Sequence, residues 1–372
     1  MTETKASHIE TNRLFWIDWL RFLAAFVVVF CHIRGGHFVE YGSLDPGSQN
    51  IFTILFFSAS RLGHESVIMF FSLSGMLVGG KLIEKVISGN LILTNFFIDR
   101  LFRIYVPYFP ILMISGLISG QNFDGQIFLV NLAGLQGVYG GVFVGNNSLW
   151  SLSYEIWFYI LAGSTASFIF PRKSIFKTIL FLIVLILAAS IYLKLEMVYL
   201  LCFFVSSILH FLKVCRIHKL AILILSSIAC FSMCAISQLA SESISIDLNS
   251  LKLYCPDKNT ITIILCVLIC IVIKSASLFT PNSYFTRYIE KIGVFAASFS
   301  YTLYLCHLPI LYFLNKIGFF SSEKVNVVNT YSIFIVCYKF LFVIVISYIL
   351  YYLFEKNTGY LKNNFKSKFN IT

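Results

Sequence analysis

Ten runs of mostly apolar residues follow one another along the chain, separated by short polar stretches: 15–33, 62–82, 104–120, 149–170, 175–193, 196–212, 220–239, 259–280, 293–315 and 331–354. A helix in hydrocarbon satisfies its backbone internally and crosses the bilayer core in ~20 residues, so each run predicts a transmembrane helix. The second begins on the polar Gly63-His64-Glu65, and the third is shortened by Pro107 and Pro110. No shift of composition marks a second domain, since the longest polar stretches are the two ends and the loop Ser241 to Lys258. The expected fold is all-α: a polytopic integral membrane bundle of about ten transmembrane helices, a single transmembrane domain over residues 1–372.

Composition agrees, with 58% hydrophobic and 12% charged residues, outside the range of soluble domains. A net charge of +11 would suggest a nucleic-acid partner in a soluble protein. Here its placement reads as topology, and the bilayer rather than nucleic acid is the expected partner. With ten spans and an inside N-terminus, nineteen of the 28 Lys and Arg residues fall inside and seven outside. The positive-inside bias thus predicts that both termini are cytoplasmic. Lys81, Lys177 and Lys274 lie at cytoplasmic span ends, where they can snorkel. Arg21 and Lys339 lie deeper inside spans, where an ionisable group is costly and therefore suspicious.

The first span exceeds a signal-peptide core and runs into Cys31-His32-Ile33-Arg34 rather than a small-residue cleavage site, so it is expected to stay attached. The ten cysteines include no Cys-x-x-Cys, and the Cys-x-x-His of Cys215 and His218 lacks a second pair. They read as packing residues, Cys255 alone lying in an outside loop, so neither a metal nor a disulfide framework is expected. The segment Gly134 to Asn147 has five glycines and no charge, which suits a mobile loop or a re-entrant piece. The absence of an internal repeat counts against a transporter built from two related halves.

Arg21 and His32 are eleven residues apart, about 20° from eclipse on a helix, so they share a face while standing roughly 16 Å apart along it. Asp18, three residues before Arg21, can pair with it. The bland alternative is a topological arginine and an interior histidine with a hydrogen-bond partner. Gly75 and Gly79 have the Gly-x-x-x-Gly spacing that lets helices approach closely, and packing rather than catalysis is the reading for this segment, including Ser72 and Ser74. Arg100 and Arg103 lie one turn apart at the cytoplasmic end of the third span, suited to phosphate oxygens or to topology alone. Trp150-Ser151-Leu152-Ser153-Tyr154-Glu155 puts a carboxylate about one and a half turns into the fourth span. The ninth carries Ser300-Tyr301-Thr302-Leu303-Tyr304-Leu305-Cys306-His307-Leu308-Pro309. In this topology His32, Glu155 and His307 share the outer half of the bundle, and Arg21, Arg100 and Arg103 the inner half.

Taken in order, these segments resemble the acyltransferase 3 family of bacterial membrane O-acyltransferases, which modify O-antigens of lipopolysaccharide, capsules and other envelope glycans. The family's Arg-x10-His signature corresponds to Arg21 and His32, and its Phe-Phe-x-x-Ser-Gly segment to Phe70 through Gly75. Its arginine pair matches Arg100 and Arg103, and its Trp-Ser-Leu-Ser-x-Glu motif matches Trp150 through Glu155. Its Ser-Tyr-x-x-Tyr-Leu-x-His-x-Pro motif matches Ser300 through Pro309, and Phe354-Glu355-Lys356 resembles its closing motif. One departure is Ile156, where the family usually has a second Glu. No esterase-like soluble domain is attached, as in the family's stand-alone members.

The resemblance implies a multi-pass protein of the bacterial inner membrane that takes an acyl-CoA donor, most often acetyl-CoA, from the cytoplasm and acylates an envelope glycan. Arg100, Arg103 and Arg21 would hold or guide the donor, and a neutral His32 would act as base. Glu155 would orient the histidine or the acceptor, and Trp150, Tyr301 and His307 would meet the acceptor. The competing classes are a polytopic glycan transporter or polymerase, and a non-enzymatic partner in glycan assembly.

Overall fold

The computed structural model describes residues 15–119, 124–169, 175–240, 256–279 and 284–371. Lys5, Arg13, Arg172, Lys173, Lys252 and Cys255 lie outside the described residues, as do most of the loop Ser241 to Lys258 and the side chains of Lys177 and Arg287. Regular structure among the described residues is helical, apart from isolated bridges such as Phe38 with Val325.

Each of the ten apolar runs is helical over most of its described residues. α1 is Phe15–His37, and α2 is the short Ile51–Ala59. α3, Gly63–Ser74, passes through a π turn at Gly75–Gly79 into α4, Gly80–Ile87. α5 is Leu93–Ile118, α6 Gly125–Leu132, α7 Trp150–Ile169, α8 Ile175–Tyr192, α9 Met197–Leu209 and α10 Lys219–Ala240. α11 is Lys258–Ala276, α12 Tyr284–Ser298 and α13 Ser300–Lys316. α14, Thr330–Leu350, runs through a second π turn, Tyr351–Glu355, and is followed by α15, Thr358–Lys368.

By length and apolarity six described stretches can cross a membrane, and a seventh if α12 and α13, bent by 48° at their junction, form one span. That is fewer than the ten expected. α9, at 13 residues, is too short to pass, and Ser151, Ser153, Glu155, Ser164 and Ser167 make α7 more polar than the others. Large apolar side chains point outward all the same, Phe52 being 79%, Ile175 80% and Phe231 72% exposed. An apolar outer surface on an all-helical bundle is that of a multi-pass membrane protein.

α1 is the central post, packing against α3, α12, α13 and α14. Each position along it is therefore held by several neighbours, which is what lets it present Arg21 and His32 at fixed points. The Gly-x-x-x-Gly spacing works as a packing device: a Cβ on Gly75 would collide with the Phe203 carbonyl and Ser206 Oγ of α9, and one on Gly79 with Ser207 Oγ. Ser207 Oγ donates to the Gly75 carbonyl at 3.1 Å across this contact. Because a backbone atom stands in the way, Gly75→Ala is expected to lower the melting temperature in detergent by several degrees. Gly35→Ala, whose Cβ meets nothing within 4 Å, is the matched control and is expected to be neutral or slightly stabilising.

The glycine-rich segment is tied into the bundle at both ends by buried polar side chains. Gln136 and Asn146 are 1% and 0% exposed. Gln136 donates to the Leu149 carbonyl at 2.9 Å and Asn146 to Ser115 Oγ at 2.9 Å, while the Gly134 carbonyl accepts from Ser153 and Trp157. Positive φ at Gly134, Gly137 and Gly145 supplies the turns that let it fold back into the bundle. Of the two expectations, the re-entrant piece describes it better than the mobile loop.

Candidate active site

Arg21 of α1, Arg100 and Arg103 of α5, Glu155 and Tyr159 of α7, Ser74 of α3 and Tyr301 and Tyr304 of α13 line one cavity of about 110 Å³. The three-residue spacing of the arginines puts both on one face of α5, and the four-residue spacing stacks Tyr159 on Glu155. Tyr159 donates to Glu155 Oε1 at 2.6 Å, so Ser74 Oγ, 2.7 Å away, donates to the Tyr159 oxygen. Arg100 lies 5.6 Å from the centroid of the Tyr159 ring and Arg103 5.5 Å from that of Tyr301. A guanidinium over an aromatic face in a low-dielectric setting is held in place while its N–H donors stay available.

Arg103 is also gripped from behind. Its Nη1 is 3.0 Å from Oε1 of the buried Glu355, whose Oε2 accepts from Thr302 Oγ1 at 2.6 Å and from Thr302 N at 3.3 Å. The three arginines also border a second cavity, of about 520 Å³, with Asp99, Glu355, Lys356 and Lys362. Its lining has five cationic side chains against two carboxylates. Lys362 and Lys366 engage Asp99 at 3.2 and 3.1 Å, and Glu355 holds Arg103. Both carboxylates are thereby committed, and the surplus positive charge suits a polyanionic ligand.

His32 belongs to a different cavity, at the opposite end of α1. It lines a space of about 210 Å³ with Gly145, Asn147, Tyr312, Asn315 and Lys339, and the residue is exposed. His307, fully buried, lies 5.2 Å from His32 between ring centroids. Its Nδ1 is 2.7 Å from the Tyr304 carbonyl. A carbonyl only accepts, so Nδ1 carries the proton and Nε2 is left as an acceptor, with no hydrogen-bond partner among the described residues. Tyr304 in turn lines the arginine cavity and donates to the Ser148 carbonyl at 2.9 Å, with Ser151 Oγ at 2.6 Å from its oxygen. The two cavities share no lining residue, and the ring of His307 lies 5.9 Å from that of Tyr304 on one side and 5.2 Å from that of His32 on the other.

A family model described as an acyltransferase domain matches residues 14–352. The chain belongs to the acyltransferase 3 family. Comparison with curated proteins finds no match, and comparison with solved structures finds none. The match spans α1 to the second π turn, and with the helical, outwardly apolar bundle it supports a membrane acyltransferase.

Within this acyltransferase the structure gathers Arg21, Arg100, Arg103, Glu155 and Tyr301 at one cavity and puts His32 at the other, His307 beside it. Glu155 therefore sits with the arginines and not, as the topology suggested, with the two histidines. The reason is that α7 starts inside the bundle: Asn146, Ser148 and Leu149, just before it, are 0%, 3% and 0% exposed. Its partner is Tyr159 rather than a histidine. Trp150 lines neither cavity but packs against the rings of Tyr154 and Tyr199, at 5.7 and 5.6 Å. Reading the sequence did not find Tyr159, Tyr304 or Ser74 as site residues. The four-residue spacing from Glu155 was the available signal for Tyr159.

Proposed function

We propose that this acyltransferase moves an acyl group, acetyl being the first to test, from acyl-CoA in the cytoplasm to a hydroxyl of an envelope polysaccharide or its lipid-linked precursor, at the bacterial inner membrane. What supports the reading is one arrangement. A strongly cationic cavity meets the bundle at Arg21, Arg100 and Arg103, and a separate cavity at the other end of α1 is lined by His32. Arg100 and Arg103 would grip the donor's phosphates through fork-shaped guanidinium contacts. The donor's arm would run from the arginines past Tyr304 toward His307 and His32, about the 16 Å that separates Arg21 from His32 along the helix.

His32 takes the proton of the acceptor hydroxyl as its oxygen attacks the thioester carbonyl. The carbon–sulfur bond then breaks, the thiolate leaves with the CoA and is protonated, and the products are an O-acyl ester and the CoA thiol. The experiment compares envelope glycans by NMR or mass spectrometry from cells with and without the gene, alongside radiolabelled transfer from acetyl-CoA in membranes. An ester that disappears with the gene supports the reading, and unchanged ester content overturns it. In the same assay Arg100→Gln and Arg103→Gln are each expected to raise KM for acyl-CoA about tenfold, the loss of one charge-assisted contact, with kcat changed much less.

A further inference from the structure

Lys339 is a buried charge that neither the donor cavity nor the base explains. It is the tenth residue of α14, about 14 Å from the start of that helix, and only 5% exposed. Topological lysines sit at helix ends, and packing alone would be served by an apolar residue, so a lysine here needs a partner of its own. The protein does not supply an anionic one: among the described residues Lys339 has no ion pair within 4.0 Å, and the contact recorded for its ammonium is the face of the Phe320 ring, 5.1 Å from its centroid.

What Lys339 does have is a cavity. It lines the same space as His32, with the carboxamides of Asn147 and Asn315 and the ring of Tyr312, and no carboxylate is among the lining residues. The titratable groups that meet this region from the neighbouring helices are His32 and His37 of α1 and Tyr312 and His307 of α13. None of them is a carboxylate. At about 210 Å³ the space falls below the ~300–1,000 Å³ of a pocket for a whole drug-sized ligand, and it suits one sugar residue of a longer chain.

We propose that the acceptor carries an oxyanion, a carboxylate on the sugar or a phosphate linking it to a lipid carrier, and that Lys339 pairs with that group while the hydroxyl to be acylated meets His32. This rests on the acyl-transfer reading and narrows it to acidic acceptors. A buried ammonium that is unpaired until the acceptor arrives discriminates strongly, because a neutral sugar leaves it without its counter-ion.

The test measures binding, so it does not depend on turnover. Full-length protein in nanodiscs is titrated with three probes that share one alkyl chain: a β-glucoside, the matching β-glucuronide, and a glucosyl alkyl phosphate. Wild-type protein is expected to bind at least one anionic probe tenfold or more tightly than the glucoside, and the glucuronide and phosphate arms tell the two sources of charge apart. Lys339→Met is expected to erase the preference and Lys339→Arg to keep most of it. Equal affinity of wild-type protein for all three probes overturns the proposal without any variant, as does an anion preference that survives in Lys339→Met. Should Lys339→Met not fold, Lys339→Gln, judged by the same melting profile as wild type, takes its place. Acetyl-CoA binding measured on the same nanodiscs reports separately on the acyl-transfer reading, so failure of one leaves the other standing or fallen on its own result.

Discussion

Replacing His32 by alanine is expected to cut acyl transfer by about 10²- to 10⁴-fold, the range for loss of a general base, while leaving the affinity for acyl-CoA within about twofold. The asymmetry follows from the two cavities. His32 lines one with Lys339, the arginines line the other, and the two share no lining residue. The donor-binding side is thus untouched, and the loss falls on kcat. Folding is not expected to suffer, because His32 is an exposed residue and removing it strands no buried partner. Single-turnover transfer to the native glycan, together with acyl-CoA binding by isothermal titration, separates the two effects. Transfer within tenfold of wild type would take His32 out of the chemistry. A parallel loss of acyl-CoA affinity would mean that the two cavities act as one.

How far the sequence foretold this arrangement depends on whether the information was local. The ten helical segments were legible because each is a continuous apolar run, and so was the close contact at Gly75 and Gly79, whose spacing is itself the packing signal. Arg21 with His32, and Arg100 with Arg103, were legible for the same reason: helical geometry fixes which face they share. What the sequence hid were depth and distant partners. Glu155 was assigned to the histidine half by counting turns from the start of α7, but that start is set by the Gly134 to Asn147 segment tucking into the bundle, held by Gln136 and Asn146. The tie between Arg103 and Glu355 spans 252 positions, and no periodicity reports a contact of that range. The difference between the ten apolar runs and the six or seven described stretches that pass as spans is clearest along α7, whose serines hydrogen-bond within the bundle, for example Ser153 to the Gly134 carbonyl at 2.7 Å.

These long-range ties also decide how the two halves of the mechanism are kept in register. α13 supplies Tyr301 and Tyr304 to the arginine cavity and sets His307 beside His32. A shift of α13 along its axis would therefore move the aromatic wall of the donor site and the histidine beside His32 together. Its first turn is where such a shift would be resisted, and that is where Glu355 acts.

Glu355→Ala is accordingly expected to be the most damaging substitution outside the two cavities' reacting groups. The carboxylate is 4% exposed and is presented by the π turn Tyr351–Glu355, an insertion that redirects side chains at the end of a helix. It accepts from Thr302 N, Thr302 Oγ1 and Arg103 Nη1, tying the end of α14 to the start of α13 and to α5. Removing it leaves buried Thr302 donors unpaired, at about 1–3 kcal/mol per buried group. The ion pair adds less, because the Arg103 side chain is 44% exposed and water screens it. A total of about 2–6 kcal/mol is expected, read as a clear drop in melting temperature in detergent. Glu355→Gln separates the structural share from the electrostatic one. The amide oxygen can still accept from Thr302, so most of the stability returns, but the charge that aims Arg103 is gone and KM for acyl-CoA is expected to rise severalfold. If Glu355→Ala melts like wild type, the three-helix tie carries no stability. If Glu355→Gln leaves KM unchanged, Arg103 does not depend on Glu355 for its place at the donor.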